Sequence, residues 1–393
     1  MIWLILKVGT IVVKYRKFGK LDWNVSALGF GAMRLPTLDN DFSKIDEPKT
    51  IQMIRYAIDH GVNYIDTAYG YHRGNSEMVI GKALQDGYRQ RVKIATKLPC
   101  HDVIATENFD RCLNEQLKRL KTNTIDFYLL HHLNQLVWPK MKKLKILEWA
   151  DKAIADGRIG YFGFSFHDNF ELFKEIIDSY NWTLCQIQYN FADESFQAGT
   201  QGLLYAHKKG VAVVVMEPIK GGRLLRPPGE IAKQWEQSTI KRTPQEWALR
   251  WVWNHPEVTV ALSGMNSLEQ VIENIKYANY SQPNNLSLKE REIIERVRDA
   301  YRSLNPVPCT ACRYCVPCPN GVDIPRVFEF YNEAVTYNDV SRRRFMYGDK
   351  NMIKNEQRAD MCTKCGQCLD KCPQKIDIPE MLEKAHAFLI NNN

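Results

Sequence analysis

Eight of the chain's eleven cysteines fall in two runs near its end. Cys309, Cys312, Cys315 and Cys318 precede Pro319, and Cys362, Cys365, Cys368 and Cys372 precede Pro373. The second run has the spacing C-x2-C-x2-C-x3-C-P, and the first differs only in a two-residue gap before its last cysteine. Three thiolates at two-residue gaps on one loop, with a fourth beside a proline, match the ligation of a cuboidal iron–sulfur cluster. A structural zinc site instead pairs two C-x2-C hooks across a longer loop. The spacing therefore selects two 4Fe–4S clusters over zinc or free thiols. In the two-cluster arrangement the fourth cysteine of each run binds the other cluster. Cys309, Cys312, Cys315 and Cys372 would then hold one, and Cys362, Cys365, Cys368 and Cys318 the second.

Another chemistry is written in residues that end or follow apolar runs. Asp66 closes "NYID", Tyr71 follows in "DTAYGY", Lys97 closes "VKIATK" and His131 closes "IDFYLLH". An aspartate beside a lysine holds it charged, and a lysine beside a tyrosine favours the phenolate and lowers its pKa. A neutral histidine can hydrogen-bond a carbonyl oxygen. Together they would form a proton donor for an alkoxide developing from a carbonyl. Each also has an ordinary reading: Asp66 as a cap, Lys97 snorkelling, Tyr71 packed, and one of His131 and His132 a loop residue. Their succession along the chain is what favours a shared site.

Those residues need a frame that brings the run ends together. Short β-branched runs recur at 25–31, 63–66, 92–97, 125–131, 159–165, 183–188, 211–216 and 258–263. Helical periodicity lies between them, as in "TIQMIRYAIDHG" (50–61) and "ENFDRCLNEQLKRLK" (107–121). Eight alternating strands and helices match the (β/α)8 TIM barrel, whose parallel strands are buried on both faces and whose chemistry sits at their C-terminal ends. A doubly wound open sheet is the alternative. The dinucleotide fingerprint that would support it is absent, because "GFGAMR" places Arg34 at the third glycine position.

At these residues the sequence closely resembles the aldo-keto reductase family. The resemblance rests on "GVNYIDTAYGY", "SEMVIGKAL", "IATK", "DFYLLHHLN", "GFS", "QIQYN" and "SGMNSLEQVIENI", and covers residues 15–282. It implies a carbonyl reductase or alcohol dehydrogenase using NADP or NAD, with a small carbonyl or alcohol as substrate. Asp66, Tyr71, Lys97 and His131 match the family's catalytic tetrad. Tyr71 would be the proton donor, Lys97 its pKa-lowering neighbour and Asp66 the partner of Lys97, while His131 would orient the carbonyl. Ser165 and Gln188 match the holders of the nicotinamide carboxamide, and Gly221 and Gly222 the loop over the pyrophosphate. Three departures stand out. Phe166 replaces an asparagine, Met216 with Glu217 replaces an aromatic nicotinamide platform, and Gly264 and Gln270 stand where cations would grip a 2′-phosphate. Glu273 and Asn274 keep the adenine-side match, and Asn266 is a further cofactor-binding candidate. A 2′-phosphate wants Arg or Lys, so NAD is as good a fit as NADP.

Beyond Gln282 the texture changes. Residues 286–304 read as a charged amphipathic helix, ended by "NPVP". "CPNGVDIPRVFEFYNEA" and "CPQKIDIPEMLEKAHAF" share C-P-x-x-V/I-D-I-P and then a helical pattern. The expected organisation is an N-terminal extension at 1–14, a barrel at 15–282, a connecting helix at 283–305 and a mainly helical dicluster ferredoxin-like domain at 306–393.

The 393 residues are 45% hydrophobic and 25% charged, with a net charge of +8. "KMKKLK" and "RRR" read as solvated faces, so no nucleic-acid partner is inferred. The apolar start, "MIWLILKVGTIVV", is broken by Lys7 and Gly9 and lacks a secretory cleavage site, so a start codon placed too far upstream or a short added strand is favoured over a membrane anchor. Without an export signal, eleven cysteines point to a reducing cytoplasm and to metal binding or free thiols. A hydride carries two electrons together whereas a cluster carries one, and no flavin motif bridges them. The clusters would serve a flavoprotein partner, drain a radical or be structural. The alternative to an enzyme is a nicotinamide-binding redox sensor or relay with little carbonyl turnover.

Overall fold

The computed structural model describes residues 13–350 and 352–391. Most of the segment 1–14 therefore lies outside the described residues. Of its end, Val13 is buried and the Lys14 carbonyl accepts the Ala27 N–H at 2.8 Å. Among the described residues no helix is long and apolar enough to cross a membrane.

A hairpin, β1 (Tyr15–Lys17) and β2 (Asn24–Ser26), comes first. The barrel strands follow: β3 (Leu28–Gly31), β4 (Tyr64–Asp66), β5 (Lys93–Leu98), β6 (Ile125–Leu133), β7 (Ile159–Phe166), β8 (Leu184–Gln188), β9 (Ala212–Met216) and β10 (Val258–Gly264). They close in the order β10-β3-β4-β5-β6-β7-β8-β9, each neighbouring pair parallel. The (β/α)8 expectation holds, and all eight apolar runs became barrel strands. The hairpin departs from it. The run 25–31 breaks at Ala27, so its first half pairs back on Tyr15–Lys17 and only its second half enters the barrel. The hairpin turn carries Phe18, fully buried and stacked on Phe127 with centroids 4.6 Å apart. Phe18 packs in one cluster with Tyr64, Ala95, Leu129, Leu184, Val214 and Val260.

That cluster fixes which face of each strand points inward. Strand side chains alternate, so Tyr64 inward puts Asp66 inward, and Ala95 inward puts Lys97 inward. Phe127 and Leu129 lead to His131, Tyr161 to Ser165, Leu184 to Gln186 and Gln188, and Val214 to Met216. A two-residue period thus fills the N-terminal barrel interior with apolar groups and its C-terminal end with polar ones.

The barrel unit's helices are α1 (Glu47–Asp59), α2 (Asn75–Ala83), α3 (Glu107–Leu120), α4 (Val137–Lys143), α5 (Ile146–Ala155), α6 (Phe170–Asp178) and α7 (Gly199–Lys208). Next in the chain come α8 (Gly229–Glu236), α9 (Pro244–Trp253) and α10 (Leu268–Ala278). Helix α1 begins three residues before its apolar pattern, because Asp46 caps it by accepting the Lys49 N–H at 3.2 Å.

The chain divides into two compact units, the first ending at Leu224 and resuming over Gln245–Ser287. The second takes Leu225–Pro244, which holds α8, together with the chain from Leu288 onward. It contains α11 (Leu288–Ser303), α12 (Ile324–Thr336), α13 (Val340–Gly348) and α14 (Ile378–Ile390). Both repeats of V/I-D-I-P start a helix, with Pro325 and Pro379 in the first turn, where the missing N–H costs nothing. Asp377 accepts the Glu380 N–H at 3.2 Å, whereas Asp323 makes no such cap and lies 3.9 Å from Arg313. The core of this unit joins Val307, Val322, Phe328, Phe330, Tyr347 and Leu382, and six of the eight clustered cysteines pack against it.

Candidate active site and cysteine loops

At the C-terminal end of the barrel, Lys97 Nζ donates to Asp66 Oδ1 at 2.7 Å and to the Thr67 carbonyl at 2.7 Å. Lys97 and Asp66 are only 1% and 3% exposed. Gln186 Nε2 donates to the other Asp66 oxygen at 3.1 Å. Lys97 Nζ lies 5.2 Å from the Tyr71 ring centroid, and the Tyr71 and His131 rings meet edge-on at 5.9 Å. The structure thus gathers the four candidate residues in one place. Gln186 is an addition that carried no separate signal beyond its place in "QIQ", two residues before Gln188.

The electrostatics correct one expectation. Burial raises the Tyr71 phenol above its ordinary value; the Lys97 charge pulls it back only in part, and Asp66 adds to the rise. The lowered phenol expected beside a lysine is not met, because Lys97 already neutralises Asp66 and desolvation of a phenolate here outweighs it. The Asp66–Lys97 shifts pull against each other: burial pushes the Asp66 carboxyl up, while Lys97, which burial alone would lower, is raised by Asp66 and Tyr71. Both Asp66 oxygens receive donors, so the pair is held ionised, with Lys97 protonated. Burial, then the positive fields of Lys97, His167 and His101, hold His131 well below its ordinary range and keep it neutral.

The Tyr71 turn is built from left-handed backbone. His72, Arg73 and Gly74 have φ of 51°, 55° and 93°. His72 holds that turn: its Nδ1 donates to the Phe42 carbonyl at 2.7 Å, and its Nε2 accepts the Leu35 N–H at 3.2 Å. Behind it Glu77 is fully buried, accepting from Thr96 and Gln116 at 2.6 Å each and from Arg119 at 3.2 Å. Gln116 in turn accepts the Tyr128 hydroxyl at 2.7 Å. Three further histidines form a row beside His131. The His101 and His132 rings lie 5.3 Å apart, and those of His132 and His167 4.4 Å.

The candidate dinucleotide residues occupy the adjoining strand ends and loops. Ser165 is buried, and its hydroxyl accepts the His132 N–H at 2.7 Å. Gln188 donates to Asp193 at 3.3 Å, and Met216 ends β9 half-buried. Phe166 is buried in the helix layer against Phe173, at 5.2 Å. Glu217, Gly221 and Gly222 have φ of 53°, 64° and 95°. A Cβ on Gly222 would meet nothing within 4 Å, whereas one on Gly221 would come within 3.2 Å of the Arg34 guanidinium. The two glycines leave an open stretch of backbone that a phosphate can approach, beside the Arg34 cation on the short turn that follows β3. Arg34 also runs along Gly264, its Cβ 3.4 Å from where a Cβ would sit there. Gln270 accepts the Asn266 N–H at 3.0 Å. Glu273 is exposed, while Asn274 is buried, donating to Ser263 at 2.9 Å and accepting from Gln245. The residues present fit a dinucleotide, with Arg34 supplying a cation that Gly264 and Gln270 do not.

In the second unit, the thiols of each cysteine run influence one another and also thiols of the other run. Burial raises the Cys309 thiol, and Cys312 and Cys372 add to it. Burial pushes Cys315 up to about 12, with Cys309, Cys312 and, from the other run, Cys368 contributing. Burial raises Cys368 too, followed by Cys362, Cys318 and Cys365. Mutual repulsion among thiolates is what bound iron relieves. A pocket is lined by five of these cysteines, Cys315, Cys318, Cys362, Cys365 and Cys368. Among the described residues no three of these side chains converge on one point as a single metal ion requires. The donor set, its grouping and the pocket fit clusters.

Comparison with known proteins places both halves. The Aldo/keto reductase family profile matches residues 27–293, and that of the 4Fe-4S dicluster domain matches residues 308–376. The uncharacterized oxidoreductase YqkF of Bacillus subtilis is 26% identical over 298 residues, 68% of this chain and 92% of that protein. A putative voltage-gated potassium channel subunit beta of Schizosaccharomyces pombe is 27% identical, covering 67% of this chain and 88% of that one. Among solved structures, the holo form of aldo-keto reductase AKR11C1 from Bacillus halodurans superposes with a TM-score of 0.61 at 28% identity, covering 72% of this chain and 96% of that one. An aldo-keto reductase from Klebsiella pneumoniae in complex with NADPH gives 0.59 at 25% identity, covering 73% and 95%.

Proposed function

Since the chain belongs to the aldo/keto reductase family and carries a 4Fe-4S dicluster domain, we propose that it is an NAD(P)-dependent oxidoreductase interconverting a small carbonyl and its alcohol. The observation that carries this reading is the buried Asp66–Lys97 pair beside Tyr71 and a neutral His131. A bound nicotinamide would supply or accept hydride at the carbonyl carbon. The chain's own residues handle the oxygen. Neutral His131 orients the carbonyl by donating a ring N–H, and the Tyr71 hydroxyl gives up its proton as charge develops on that oxygen. Lys97, fixed by Asp66 and Thr67, then faces the phenolate and stabilises it. Gly221, Gly222 and Arg34 would hold the pyrophosphate, and Ser165 and Gln188 the carboxamide. The bound dinucleotide of the Klebsiella pneumoniae structure supports NADPH, while Gly264 and Gln270 offer no cation of their own to a 2′-phosphate.

The second unit would hold two 4Fe–4S clusters with exchanged fourth ligands, Cys372 completing the set of Cys309, Cys312 and Cys315, and Cys318 that of Cys362, Cys365 and Cys368. The thiol neighbours of Cys309 and Cys368 support the exchange. Such clusters carry single electrons, so their exchange partner would be a flavoprotein or another one-electron carrier.

A second reading is a nicotinamide-binding relay with little turnover, favoured by a thioether, Met216, where the family resemblance implies a stacking aromatic. Anaerobically purified chain, assayed with NADH and NADPH against aldehydes, quinones and keto acids, separates the two. Reduction of at least one carbonyl class supports the enzyme; dinucleotide binding without any turnover supports the relay.

A further inference from the structure

The loop after β9 is held in an unfavourable backbone shape by the loop after β8. Glu217 and Lys220 adopt φ of 53° and 50°, left-handed values that cost energy in residues other than glycine. Asn190 Nδ2 donates to the Glu217 carbonyl at 3.3 Å, and Asn190 Oδ1 accepts the Ala192 and Asp193 N–H groups at 3.1 Å each. This places the Asp193 carboxylate so that a single oxygen, Oδ2, receives two donors. One is the Lys220 ammonium, in a direct ion pair, and the other is Gln188 Nε2 at 3.3 Å. Lys220 is 2% exposed, and a lysine charge that far from water needs its counter-charge. The two donors come from opposite ends of the dinucleotide site read above. Gln188 sits where the carboxamide would bind, and Lys220 opens the Gly221–Gly222 stretch where the pyrophosphate would lie.

We propose that Asp193 is a positioning residue that sets how long the dinucleotide stays bound, by pinning the Lys220–Gly222 turn and Gln188 to one carboxylate. The inference rests on the reading of this rim as a nicotinamide site. In this role Asp193 would act through Lys220 and Gln188 rather than on the cofactor itself. A pair of purely structural value would lower thermal stability without altering the release of a ligand. A pinning pair must alter release.

The experiment uses the full chain with Asp193→Asn, with Asp193→Glu as rescue, and with Lys220→Met, which removes the buried charge instead of stranding it. In the first arm, limited trypsin digestion without nucleotide should cut after Arg223 faster in the Asn and Met variants than in the wild type, with the Glu variant close to wild type. In the second arm, stopped-flow displacement of NADH and of NADPH should show dissociation faster by about tenfold in the Asn and Met variants, with association changed far less. Unchanged dissociation in Asp193→Asn and Lys220→Met would overturn the proposal, whatever the digestion shows, because a purely structural pair can loosen the turn without altering release. So would slower dissociation in Asp193→Asn, which would mean that Asp193 competes with the cofactor for Lys220. A wild type that binds neither nucleotide would remove the nicotinamide reading on which the proposal rests, and the digestion arm would still report whether Asp193 pins the turn.

Discussion

At the scale of single residues, the chemistry turns on how burial competes with charge. Tyr71 sits beside Lys97, yet desolvation keeps its phenol above the ordinary value. Tyr71, the proposed proton donor, therefore keeps its proton throughout the neutral range. Carbonyl reduction should stay level across neutral pH and decline only in alkali, as the phenol ionises, whereas alcohol oxidation, which needs the phenolate, should rise with pH; paired pH profiles of kcat check this. His131 gives a stability prediction with the opposite direction of proton binding. Its folded-state pKa is held well below the 6.5 of an unfolded histidine. Below that value the unfolded chain takes up a proton that the fold refuses, so this group costs stability as the pH falls, by up to about 1.4 kcal/mol per pH unit. Chemical denaturation between pH 7 and 5 should show a shallower decline for His131→Asn. Asp66, Lys97 and His131 were legible because each ends an apolar run. Gln186 and Glu77 were not, since their roles depend on side-chain partners 120 and 19 residues distant in the chain.

At the scale of elements, the barrel was readable because strands buried on both faces must be continuous apolar runs. The hairpin was hidden by the same rule, since the run 25–31 shows no mark at Ala27, where β2 gives way to β3. Two elements carry tests. Glu77, on α2, satisfies Thr96 on β5 and Gln116 and Arg119 on α3. Glu77→Ala removes the Thr96 hydroxyl's acceptor and one acceptor each of Gln116 and Arg119, and should lower unfolding free energy by about 2–3 kcal/mol in urea titrations. Gly222, in the loop after β9, has space for a Cβ but a φ of 95° that side chains resist. Gly222→Ala should therefore cost about 1–2 kcal/mol through the backbone and weaken NADH and NADPH binding alike, as read by fluorescence titration.

At the scale of the whole molecule, the sequence repeat at Cys318 and Cys372 announced a duplicated cluster unit. The inclusion of Leu225–Pro244 in that unit was not legible, because it follows from packing and not from any local pattern. The exchanged ligation can be read by counting iron. In the exchanged arrangement Cys309→Ser with Cys372→Ser removes two ligands of one cluster, and about four irons should remain of eight. Cys309→Ser with Cys318→Ser strikes both clusters and should leave almost none. The reverse result would assign each run its own cluster. The central claim, that this rim performs carbonyl reduction through Tyr71, meets its most direct test in Tyr71→Phe, with turnover and dinucleotide affinity measured on the same anaerobic preparation. The account predicts a fall in kcat of about a hundredfold or more with the NADH and NADPH dissociation constants unchanged. Turnover retained at the wild-type rate would contradict it.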